Sequence, residues 1–87
     1  MTAVTHPKML EAAPAERAAR LLAEARVAAR DQVRLVEQAI DATAQLSAQV
    51  ANGGDIYPPG VRELCRRMAA EAELHSKTLG ALATRLF

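Results

Sequence analysis

An all-α antiparallel helical hairpin that pairs with a second copy into a dimeric four-helix bundle is the fold this sequence predicts, on three observations. From Val61 to Leu86 the residues Val61, Cys65, Met68, Ala72, Leu79, Leu82 and Leu86 recur at steps that keep one helix face against a neighbour, as in a coiled coil, with His75 the single polar intruder. After Pro14, up to Ala51, there is neither Gly nor Pro, and most positions are strong helix formers. Between these stretches Asn52-Gly53-Gly54-Asp55 is the strongest punctuation in the chain.

The elements follow in order. Residues 1–13 read as an irregular N-terminal arm, because Pro7 and Pro14 each push the preceding residue away from helix and the apolar content has no period. A hairpin domain then covers 14–87. Its first helix, about 15–51, opens after Pro14, whose missing N–H suits a first turn. At 100° per residue, Leu22, Ala29, Val33, Val36 and Ile40 fall on one broad apolar arc, with Leu21, Leu35 and Leu46 widening it. Arg20, Glu24, Asp31, Arg34, Gln38 and Asp41 fall opposite.

Asn and Gly reach the left-handed conformation that closes a helix, so the loop is placed at 52–57. Pro58 and Pro59 then suit the opening turn of a second helix, about 58–86. So short a loop forces the helices antiparallel. Counting outward from it puts His75 level with Arg34 and close to Gln32, the polar residue at the middle of the first helix's apolar arc. Gln32 and His75 are therefore expected to form a buried polar pair fixing register or oligomer state. The same count pairs Leu86 with Ala23, leaving residues 15–22 to overhang the hairpin.

Composition narrows what such a chain can do. At 87 residues it is one small domain, and its thin core wants a second chain to cover its apolar faces. Alanine occurs 20 times, Trp is absent, and Tyr57 and Phe87 are the only aromatics, which suits helices in close approach and not a sheet. The expected oligomer interface comprises Leu22, Ala29, Val33, Val36 and Ile40 of the first helix, with Val61, Met68, Ala72, Leu79, Leu82 and Leu86 of the second. Eleven basic and ten acidic residues nearly cancel, giving no bulk field toward a polyanion or a membrane surface. No apolar run approaches the roughly 20 residues of a membrane span. A lone Cys65 excludes an intrachain disulfide and fits a core residue in a reducing compartment, so the expected location is cytoplasmic.

No catalytic, cofactor or metal site is predicted. Glu71 and His75 stand four apart, but the other His, His6, is in the arm, and the Glu-x-x-His spacing of di-iron bundles is absent. Cys65 is ten residues from His75 on one helix, roughly 15 Å, so they cannot act as nucleophile and base within a chain. The expected function is that of a small non-enzymatic homo-oligomeric scaffold or regulatory interaction protein, whose partners are itself and a protein docked on the overhang or arm. The alternative is a nucleic-acid-associated regulator using Arg26, Arg30 and Arg34 with Arg62, Arg66 and Arg67, although acids interleave both groups and no aromatic is placed to stack a base.

Overall fold

The computed structural model describes residues 13–87, so the predicted arm, up to residue 12, lies outside the described residues. Two long helices make up almost all of it. Helix α1 is Pro14–Ala51, 38 residues and ~57 Å at 1.5 Å per residue. Its start has no side-chain cap: Ala13 is extended at φ −59° and ψ 150°, Pro14 takes the first turn, and the Arg17 amide donates to the Ala13 carbonyl at 2.9 Å. Helix α2 is Pro59–Leu86, 28 residues, and opens the same way on extended Pro58, with the Arg62 amide donating to the Pro58 carbonyl at 3.0 Å.

The connection between them sets the register. After α1 the Asn52 amide bonds the Ala48 carbonyl at 2.9 Å and that of Gly53 bonds Val50 at 3.1 Å, both residues keeping negative φ. The left-handed residue is Gly54, at φ +81°, rather than Asn52 or Gly53. It opens a single 3-10 turn, Gly54–Ile56, and Tyr57 and Pro58 follow in extended conformation. These residues carry the chain past the end of α1 before it reverses. The first turns of α2 thus pack on the loop, where Arg62 Nε donates to the Tyr57 carbonyl at 3.1 Å and its guanidinium lies 3.9 Å from Asp55.

Two contacts between the helices fix the result. Ser76 Oγ donates to Asp41 Oδ1 at 2.5 Å, and the Arg30 guanidinium donates to the Phe87 carbonyl. Compared with the register expected from loop length, α2 is displaced by about eight residues, ~12 Å, toward the loop. Leu86 lies level with about residue 31 instead of Ala23, and the lone stretch of α1 grows from eight residues to residues 14–29. His75 comes level with about residue 42, ten residues from Gln32 along α1. Both side chains are exposed in the hairpin. The expected buried pair is therefore not made within the chain, because the loop spends its length climbing before it turns.

The facing surfaces repeat in heptads. On α1 the buried or half-buried positions include Val33, Glu37, Ile40, Ala44, Ser47 and Ala51, and on α2 Arg62, Cys65, Ala69, Ala72, Ser76, Leu79 and Ala83; Ala48, Val50 and Gly80 beside them are half-buried too. Steps of three and four alternate along both. Only Ser47, Ala51 and Ala72 are buried among the described residues, and all are small. Small side chains let helix axes approach closely, which is what this seam uses. The seam expected on α2 shares Cys65, Ala72 and Leu79 with it; Val61, Met68, His75 and Leu82 stand one residue earlier, about 100° round the helix.

Candidate interaction surface

One residue of rotation gives the hairpin two unlike flanks. On the polar flank, Asp41 and Ser76 bridge the helices, and Arg30, Arg34 and Glu37 line a depression with Gly80, Thr84 and Phe87 at the end of α2. The apolar flank has no polar bridge between helices among the described residues. There Val36, Ala39, Ile40 and Thr43 of α1 face Met68, Ala72 and His75 of α2 across an open groove of about 400 Å³, with Glu71 on its rim. Val36 is 43% exposed, Met68 39% and Leu82 38%. Each is thus half-wrapped by its neighbours while its outer face meets water.

The residues expected at an oligomer interface divide between seam and flank. Ala72, Val33, Ile40 and Leu79 go into or beside the intrachain seam, while Val36, Val61, Met68 and Leu82 are exposed along the apolar flank. Leu86 is exposed at the last turn of α2. Leu22 and Ala29 are exposed on the part of α1 that extends beyond the end of α2. Leu21, Leu22 and Val27, all on that stretch, are each more than half exposed.

The sites considered for chemistry do not assemble. Among the described residues no group of three His, Cys, Asp or Glu side chains converges as a metal site needs. Cys65 is half-buried in the seam, and His75 stands on the groove two to three turns away. The two arginine groups remain separate: Arg62 and Arg66 lie beside the loop, whereas Arg30 and Arg34 lie level with the far end of α2. Most are engaged locally, Arg34 with Asp31 at 3.5 Å, Arg66 with Glu63 at 2.5 Å, Arg62 with the loop and Arg30 with the Phe87 carbonyl. No helix among the described residues is long and apolar enough to cross a membrane.

The seam itself is the feature that sequence reasoning missed. Its signal was present as small residues at coiled-coil spacing, Ala69, Ala72, Ser76 and Ala83 facing Ala44, Ser47 and Ala51, and it is masked because the larger Val61, Met68 and Leu82 repeat at the same spacing one position away. Compared with protein-family models, curated proteins and solved structures, the chain finds no match.

Proposed function

We propose that this chain is a non-enzymatic homodimeric scaffold or regulatory interaction protein, two hairpins contributing four helices to one assembly. The observation that supports this is the apolar flank. Val36, Ala39, Met68 and Leu82 form an apolar strip along the hairpin, and Leu21 and Leu22 extend it onto the segment of α1 that α2 does not reach. Patches of this kind mark association surfaces, since an isolated two-helix unit cannot bury enough apolar area to be stable. The polar flank then faces outward and carries the charges that keep the assembly soluble.

Sedimentation equilibrium at micromolar concentration tests the reading. A folded species of twice 9.3 kDa is expected. A folded 9.3 kDa monomer overturns the proposal, and a tetramer replaces the dimer in it.

A further inference from the structure

The register of the hairpin leaves α1 divided into two halves with complementary needs. Residues 18–29 are exposed throughout and α2 does not reach them, and the half that follows forms one wall of an open groove. The same face of the helix serves both. On the lone half it presents Leu22, Ala25 and Ala29; on the other half it presents Val36, Ala39, Thr43 and Leu46, at unbroken steps of three and four through Gln32. A face with this spacing is a second coiled-coil seam, distinct from the one that joins α1 to α2.

We propose that the overhang at residues 14–29 is the occupant of the apolar groove of a second copy, the two α1 helices lying antiparallel about a two-fold axis near residue 34. This rests on the dimer proposed above and specifies its contacts. The two-fold makes the arrangement self-complementary, since each overhang fills the partner's groove while its own groove is filled in return. The α1 wall of the groove, from Val36 to Thr43, spans ~10 Å, and with the axis at residue 34 the stretch set against it runs from Gln32 back to Ala25.

The layers that result are chemically consistent. Leu22 meets the partner's Leu46, and Ala25 and Ala29 enter the narrow middle of the groove between the partner's Ala39, the partner's Thr43 and the partner's Met68. Charge follows the same placement. Arg26, which makes no ion pair within the hairpin, arrives within a turn of the partner's Glu71, and Glu71 likewise lacks an intrachain ion pair. A parallel arrangement would instead set the two overhangs against each other as an Ala-rich pair with no third helix, burying less of Leu21 and Leu22. In the antiparallel one, three helices pack at each end of the dimer, and all four overlap only near the axis.

Cross-linking in a Cys65→Ala background decides it. Leu22→Cys and Leu46→Cys replace side chains that are exposed in the hairpin, so its fold does not depend on them, and circular dichroism verifies that. Mixing the two variants under mild oxidation should give a disulfide-linked dimer, and either variant alone should not, since position 22 would lie ~36 Å from its own copy, far beyond disulfide reach. In parallel, Leu22→Lys should weaken dimerisation at least about tenfold, while Ala70→Lys on the other flank leaves it unchanged. Linked dimers from Leu22→Cys alone overturn the antiparallel placement, as does an unlinked mixture that still sediments as a dimer. A monomer by sedimentation overturns this inference together with the dimer on which it rests.

Discussion

Gly54 and Gly53 show how single residues decide the geometry of the whole hairpin. Gly54 sits at φ +81°, in the left-handed region that costs an L-residue roughly 1–2 kcal/mol. At Gly53 the conformation is ordinary, but a side chain there would run into the Tyr57 ring and the Gln49 carbonyl. Gly60, on the first turn of α2, meets neither constraint. Gly54→Ala is therefore expected to lower stability by about 1–2 kcal/mol in urea unfolding, and Gly60→Ala to leave it unchanged or raise it by up to about 1 kcal/mol. Equal losses would mean that the loop conformation is not what holds the register. The position of the loop was legible in Asn52-Gly53-Gly54-Asp55, but not which residue turns left-handed, since three successive residues there are each able to do so. For the same reason Gln32 and His75 could not be placed: their pairing depends on how far the loop climbs, which is set by the extended backbone at Tyr57 and Pro58 and by Arg62 reaching back to both Tyr57 and Asp55.

At the scale of the element, α1 and α2 were readable because helix propensity, Pro at the first turn and an uninterrupted run all agree. Which face of α2 meets α1 was not. Two candidate seams lie one residue apart, and the one made of Cys65, Ala69, Ala72, Ser76 and Leu79 faces α1, while Met68 and Leu82 are left on the flank. Large side chains repeat more visibly in a sequence than small ones, yet close approach of two helices needs the small ones. The division of α1 has a dynamic consequence. Its amides at residues 18–29 have only intrahelical hydrogen bonds and no packing to protect them, whereas those at 40–51 lie against α2. In the proposed dimer that difference disappears: hydrogen exchange at a concentration where the dimer dominates should show residues 18–29 protected about as well as 40–51. Fast exchange of residues 18–29 at every concentration would show that nothing covers the overhang.

For the molecule as a whole, the governing quantity is how little the single hairpin buries. No Leu, Ile, Val or Met among the described residues is fully buried, and the three that are buried are Ala and Ser. Each of these removes little apolar surface from water, so position for position the intrachain seam supplies less than the roughly 1.5–3 kcal/mol that a fully buried Leu or Met side chain contributes. Backbone ordering alone costs on the order of 1–2 kcal/mol per residue. In the proposed dimer, association supplies the stability that the single hairpin lacks, and folding and dimerisation then become one equilibrium between a native dimer and two unfolded chains. Such an equilibrium has a signature that a stable monomer lacks: each tenfold rise in protein concentration adds about 1.4 kcal/mol to the apparent stability. Urea unfolding at 1, 10 and 100 μM should accordingly show midpoints that climb by equal steps while the slope of stability against urea stays constant. Coincident curves at the three concentrations would mean that the thin seam of Ala44, Ser47, Ala51, Ala69 and Ala72 holds the hairpin together unaided, and that the exposed strip from Leu22 to Leu82 plays no part in its stability.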